Sequence, residues 1–254
     1  MDRSTQKIAL VTGASRGIGA QIARHLAQSG FRVACAARSQ PELEQVAREI
    51  DGLAVPLDIS DGEAIRSAVS QIEETWGPVD VLVNNAGVAS SAPFGRLDDA
   101  EWDRIININL TGGFRLTREV IGPMVERKWG RIIFVASNAG LTGYPYTSAY
   151  CASKHGVIGL TRALAAEFAR TGVTVNAICP GFVETDMATT AIERIEGSTG
   201  RTAEQARTSL EKMNPQRRLI QVDEVAHCCA TLVAEGARGI NGQTIVVDGG
   251  QVMH

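Results

Sequence analysis

Residues 7–12, K-I-A-L-V-T, run apolar and β-branched up to Gly13, and G-A-S-R-G-I-G then opens an apolar-periodic segment through Ile22, Ala23, Leu26 and Ala27. Strand, glycine turn and helix in that order leave few folds open. Glycines let the backbone close around a pyrophosphate, and the free N–H groups at the start of a helix favour its charge. A glycine-rich turn alone is weak evidence, and it gains force only if strands and helices keep alternating after it.

They do. Further strands are expected at Arg32–Ala36, Leu53–Leu57, Val79–Val83, Arg131–Ala136, Thr174–Ile178 and Thr244–Val247, with amphipathic stretches between the earlier ones. This alternation predicts an α/β fold, a single doubly wound Rossmann-type domain over residues 1–254 with a parallel sheet of about seven strands covered by helices on both faces. Right-handed crossovers place the strand carboxyl ends along one edge, where ligands bind in such sheets.

The residues at those ends carry chemistry. Ser137 closes the run I-I-F-V-A as a hydroxyl at a strand end, positioned to hold a carbonyl oxygen. Tyr150 and Lys154 begin a small-residue apolar segment, and at that spacing they share one helix face about 6 Å apart along the axis. A phenol is a poor acid or base near neutrality, and a fixed ammonium beside it is expected to lower its pKa. Asn109 lies in the apolar run I-I-N-I-N-L on a long helix expected from Glu101 to about Arg127. A buried Asn must be hydrogen-bonded, so it marks either structural satisfaction or a bound water.

Three turns complete the edge. Asp58 follows L-A-V-P-L and is open to two readings, an acceptor for an adenine amino group or a cap for the helix after D-I-S-D. Asn84, Asn85, Ala86 and Gly87 suit a tight turn lying against a nucleotide, or a plain turn. Pro180 and Gly181 bend the chain after V-T-V-N-A-I-C, and Thr185 offers a hydroxyl. Residues 188–214 follow, with Gly197 and Gly200 as breakers and T-A-E-Q from Thr202 as a capping box, and are expected to form a mobile helical substrate lid.

The net charge of −3, with both signs mixed along the chain, supplies no field for nucleic acid or anionic lipid. The opening M-D-R-S-T-Q has no apolar core, and no apolar run approaches the roughly 20 residues that cross a bilayer, so a cytoplasmic protein without a membrane partner is expected. The five cysteines show no zinc-type C-x-x-C pair, no metal site is expected, and all five are read as small buried hydrophobes, Cys151 included. Arg127, Lys128 and Arg131 form a basic cluster, either a dock for a carrier protein or CoA phosphates or a solvated helix end.

Taken together, T-G-A-S-R-G-I-G at 12–19, N-N-A-G at 84–87, Asn109, Ser137, Y-C-A-S-K at 150–154 and P-G-F-V-E-T at 180–185 resemble the short-chain dehydrogenase/reductase family over nearly the whole chain. Within it the chain resembles 3-oxoacyl-(acyl carrier protein) reductases and aromatic polyketide ketoreductases. It departs from the latter after N-N-A-G, where V-A-S-S-A-P-F replaces a glycine-rich P-G-G run.

The resemblance implies that Tyr150 donates or accepts the proton, Ser137 orients the substrate oxygen, Lys154 lowers the tyrosine pKa and holds the nicotinamide ribose, and the backbone at Asn109 holds a relay water. It implies a cofactor cradle of Gly13, Ser15, Arg16, Gly17, Ile18 and Gly19. Asp58 and Ile59, then Asn85, Ala86 and Gly87, and finally Pro180, Gly181, Val183 and Thr185 would line the rest of the cofactor. The substrate walls are expected from Phe94, Leu141, Tyr144, Tyr146 and Met187. No acid ends the second strand, V-A-C-A-A-R-S, where an NAD-selecting carboxylate usually stands. Arg38 stands there instead with Arg16 nearby, which favours NADP(H).

The expected activity is NADPH-dependent reduction of a ketone, a 3-oxoacyl thioester or polyketide-like substrate, with acyl carrier protein or CoA as a possible partner. The alternatives are an alcohol or 3-hydroxyacyl-CoA dehydrogenase running the reaction backwards, and a nucleotide-sensing regulator, which predicts a broken Ser–Tyr–Lys set. The apolar segment Ser148–Arg170 and the strand T-I-V-V are expected to pair with other copies, and the resemblance implies a homotetramer.

Overall fold

The computed structural model describes residues 6–253, and the opening stretch Met1–Thr5 lies outside the described residues. The elements alternate as expected. β1 (Ile8–Thr12), α1 (Gly17–Gln28), β2 (Arg32–Ala37), α2 (Gln40–Glu49), β3 (Leu53–Pro56), α3 (Gly62–Trp76) and β4 (Val81–Asn84) build the first half. α4 (Asp99–Ile106), α5 (Gly112–Glu126), β5 (Gly130–Val135), α6 (Ser148–Glu167), β6 (Val173–Pro180), α7 (Asp186–Thr199), α8 (Ala203–Met213), α9 (Val222–Val233) and β7 (Thr244–Val247) build the second.

The strands form one 7-stranded sheet in the order β3-β2-β1-β4-β5-β6-β7. Every pairing is parallel. Side chains alternate across the pleat, so Ile8 and Leu10 of β1 pack under Leu116 and Val157, whereas Ala9 and Val11 pack under Ile22 and Val225. A helix layer thus covers each face. The chain reverses direction of winding between β1 and β4, and the crevice at their carboxyl ends is where such sheets take ligands.

Four expectations about this frame are corrected. The helix expected from Glu101 to about Arg127 is interrupted by a π turn over Asn107–Thr111, which carries Asn109. Gly197 does not break α7, and the stop comes at Gly200, in left-handed conformation at φ 69°. Of the cysteines, Cys35, Cys179 and Cys229 are buried, but Cys151 and Cys228 are only half-buried.

The basic cluster is the fourth, in one member only: Arg127 and Lys128 are exposed, as a solvated helix end has it, but Arg131 is not. The cluster sits at the amino-terminal end of β5, on the edge away from the strand carboxyl ends. Arg131 is 1% exposed and donates to the Gly130 and Gly172 carbonyls beneath Trp129, while Arg127 is tied to Val79 O and Asp80. A residue sealed in that way cannot dock a carrier.

Residues 188–214 fall largely within α7 and α8, the latter opened by the expected capping box between Thr202 and Gln205. The pair has its own small core of Ala188, Leu210 and Leu219, against which Phe182 and Ile192 pack. Arg207 braces it through Glu184 and Glu211.

Candidate active site

The glycine turn is built for close approach. Gly13 and Gly17 hold φ of 65° and 56°, a region that favours glycine. A Cβ on Gly19 would collide with Gly13 O and with the Asn85 amide. Arg16 caps α1 in extended backbone without a side-chain cap, and the first turn holds no acid, so the helix start presents N–H groups and positive potential. Among the described residues this cradle fits a pyrophosphate, and Ser15 and Ile18 lie half-buried along it.

The N-N-A-G turn is stitched to the same place. Thr12 Oγ1 accepts from the N–H groups of Asn85 and Ala86 at 3.0 Å each, and Asn85 Nδ2 donates to Thr12 O at 2.9 Å. The Asn85 amide therefore holds the two turns together, so it is a structural link between them. Gly87 packs where a Cβ would meet Asn109 Oδ1 at 3.3 Å and Lys154 Nζ at 3.6 Å.

Asp58 is not the helix cap. Asp61 caps α3, accepting from Glu63 and Ala64, while Asp58 accepts from the Ser60 N–H and hydroxyl at 2.9 and 2.7 Å. Those bonds, with a smaller contribution from the charge of Arg38, hold its carboxyl below the usual range. Arg38 is exposed just beyond β2, Arg16 is exposed too, and Ile59 is buried in the core with only 7% of its surface accessible.

Ser137 ends the segment after β5 and accepts from Ala139 N at 3.1 Å, while Tyr150 lies in the first turn of α6 with Lys154 one turn further on. Lys154 Nζ donates to Val135 O at 2.9 Å and lies 5.7 Å from the centre of the Tyr150 ring. Asn109 is fully used: its Oδ1 accepts from Val88 N at 2.8 Å, and its Nδ2 donates to Val88 O at 2.9 Å and Ser153 Oγ at 3.1 Å. Its side chain is therefore structural. The Asn109–Ser153 bond links the π turn to α6, a pairing that no spacing in the sequence announces, and Ser153 Oγ in turn donates to Tyr150 O at 2.7 Å within the helix.

Burial raises the Tyr150 pKa, and a hydrogen bond with Ser137 opposes that. Burial also pulls Lys154 down to about 8. A cavity of about 10 Å³, at the lower limit that admits one water, is lined by Thr12, Asn84, Asn109 and Lys154. Asn84 Nδ2 donates to Thr117 Oγ1 at 3.0 Å, and its buried Oδ1 has no protein partner.

The expected substrate walls divide. Phe94, Tyr146 and Met187 are 80%, 66% and 45% exposed, whereas Tyr144 and Leu141 are half-buried. Tyr144 stands edge-on to Phe182 at 6.4 Å and accepts from Gln251 Nε2 at 2.7 Å, and burial pushes its phenol up to about 12. Asp248, 3% exposed, accepts from Asn138 beside Ser137 and from three N–H groups of the C-terminal segment. Gly181 packs against it. Pro180 ends β6, Val183 bridges to Ile220, and the Thr185 hydroxyl turns back to Val183 O at 3.2 Å.

Among the described residues, no helix is long and apolar enough to cross a membrane, and no cluster of His, Cys, Asp and Glu is placed to hold a metal.

A family model described as short chain dehydrogenase matches residues 7–196. Acetoacetyl-CoA reductase of Shinella zoogloeoides is 38% identical over 249 residues, covering 96% of this chain and 98% of its own. D-beta-hydroxybutyrate dehydrogenase of Rhizobium meliloti is 38% identical over 252 residues with the same coverage. A crystal structure of an actinorhodin polyketide ketoreductase variant with NADPH has a TM-score of 0.96, 40% sequence identity and 99% coverage of both chains.

Proposed function

Because this chain belongs to the short chain dehydrogenase family, we propose that it is an NADPH-dependent ketone reductase acting on a 3-oxoacyl thioester or polyketide-like substrate. The observation that carries this reading is the meeting of Ser137, Tyr150 and Lys154 at the carboxyl edge of the sheet, beside the glycine cradle. The dinucleotide, when bound, supplies the hydride. Gly13, Gly17 and the start of α1 would take its pyrophosphate, with Arg38 and Arg16 at the adenosine phosphate and Thr185 and the backbone at Val183 at the carboxamide.

The chain's own residues manage the oxygen and its proton. Ser137 Oγ holds the ketone oxygen, and Tyr150, kept protonated by burial, hands it the phenolic proton. Lys154, with a pKa of about 8, is mostly an ammonium at neutral pH and faces the tyrosinate left behind. A neutral phenol at rest suits reduction, because oxidation needs the tyrosinate first.

The reverse reading, a dehydrogenase of 3-hydroxyacyl substrates, is favoured by one observation, the likeness to a hydroxybutyrate dehydrogenase. A sensing regulator loses ground because the Ser–Tyr–Lys set stands together. The π-turn backbone at Asn109 and the cavity lined by Asn84 and Lys154 support a relay water. α7 and α8 are read as the substrate lid, and replacing residues 188–214 by a short glycine linker should raise KM and spare cofactor affinity. A homotetramer is read from the family resemblance, in keeping with the half-buried edge strand β7 and the apolar α6, with light scattering as its test.

The reading is tested by following NADPH absorbance across acetoacetyl and longer 3-oxoacyl thioesters, carried on CoA or on a carrier protein, with cyclic diketones and polycyclic aromatic ketones alongside. Turnover on none of these, with NADPH bound, would sink the substrate class.

A further inference from the structure

The cofactor turn and the first residue of the lid helix touch. Arg16 Nε lies 3.3 Å from Asp186 Oδ2, with the two side chains 67% and 78% exposed. A Cβ added to Gly17 would sit 3.3 Å from the Thr185 methyl, so the glycine turn also packs against the side chain that precedes α7. α7 is fixed elsewhere: Arg194 donates to Ser91 Oγ at 3.0 Å, and its apolar face packs on α8. Asp186 is therefore held at the mouth of the turn, with the start of its own helix adding a favourable field for the carboxylate.

We propose that Asp186 is a specificity-determining residue for the cofactor: its carboxylate competes with the adenosine 2′-phosphate for Arg16, so it moderates NADPH affinity and leaves NADH affinity alone. This rests on the reading that Arg16 meets that phosphate. Two acids bear on the two arginines in different ways. Asp58 is engaged by Ser60 and acts on Arg38 through its field, whereas Asp186 occupies the Arg16 guanidinium directly. An exposed pair of this kind is weak, and a charge-assisted bond to a dianionic phosphate is stronger, so the phosphate wins Arg16 and Asp186 is released. NADH has no group to make that exchange. Cofactor choice and the first turn of the lid are coupled through one side chain.

The test is calorimetric titration of NADPH and NADH into wild type, Asp186→Asn, Arg16→Ala and the double variant. Asp186→Asn should bind NADPH about two- to fivefold more tightly, with NADH unchanged, and the gain should vanish in the Arg16→Ala background. Unchanged NADPH affinity in Asp186→Asn, an equal gain for NADH, or a gain that survives without Arg16 overturns the proposal. If Arg16→Ala itself binds NADPH as wild type does, the underlying reading of the turn fails, a separate result from a failure of the competition alone.

Discussion

Asn109 Nδ2 donates to Ser153 Oγ at 3.1 Å, joining a π turn to the helix that carries Tyr150 and Lys154 across 44 residues of sequence. With the two bonds to Val88, this side chain anchors three segments, so removing it strands half-buried backbone groups. Asn109→Ala should therefore cost about 1–3 kcal/mol. For a chain of this size that is a fall of roughly 2–4 °C in Tm per kcal/mol. Ser153→Ala should cost less, because its partner Tyr150 O belongs to a helix. Thermal melts of both variants check the order.

Tyr150→Phe removes only the hydroxyl. Turnover should drop by about two to four orders of magnitude, with NADPH binding nearly intact. Wild-type turnover in that variant would remove Tyr150 from the chemistry.

Lys154 couples activity to stability. Its folded pKa of about 8 lies below the ordinary 10.5, so the unfolded chain binds more protons between those values. Stability from this group is accordingly lowest below pH 8 and rises as pH climbs from 8 towards 10.5. Lys154→Met should raise Tm at pH 7, flatten its rise over that window and abolish turnover. Melts at pH 7 and pH 10 beside an activity assay read all three.

The same pKa directions set the pH profile. Ketone reduction needs the phenol protonated and Lys154 charged, so it should hold to about pH 8 and then decline as the ammonium is lost. Alcohol oxidation needs the tyrosinate and should rise with pH over the same range. Parallel profiles in the two directions would contradict the assignment.

Arg38 is exposed beyond β2, with no acid at that strand end. One charge-assisted bond to a phosphate contributes about 1.5–3 kcal/mol, so Arg38→Ala should lose roughly tenfold to a hundredfold in NADPH affinity and leave NADH little changed. kcat/KM for both cofactors measures it, and equal preference in the wild type would overturn the selection of NADP(H).

The strands, the glycine turn and the reach of α6 were legible because each depends on neighbours along the chain: alternation of apolar residues, a turn that only glycine makes easily, and a Tyr and Lys at helical spacing. Ser137, Tyr150 and Lys154 were named on that local pattern. Their electrostatics were not, since a lysine at helical spacing is ordinarily solvated, and only the packing of α6 on β5 shows Lys154 to be 5% exposed. The same blindness read Arg131 as an accessible charge, dock or solvated helix end, although β5 seals it at 1% exposure. Asn109 to Ser153, Asn138 to Asp248 and Arg16 to Asp186 join residues far apart in sequence. No local periodicity encodes such pairs, because they exist only once the crossovers have brought the strand ends to one edge of the sheet.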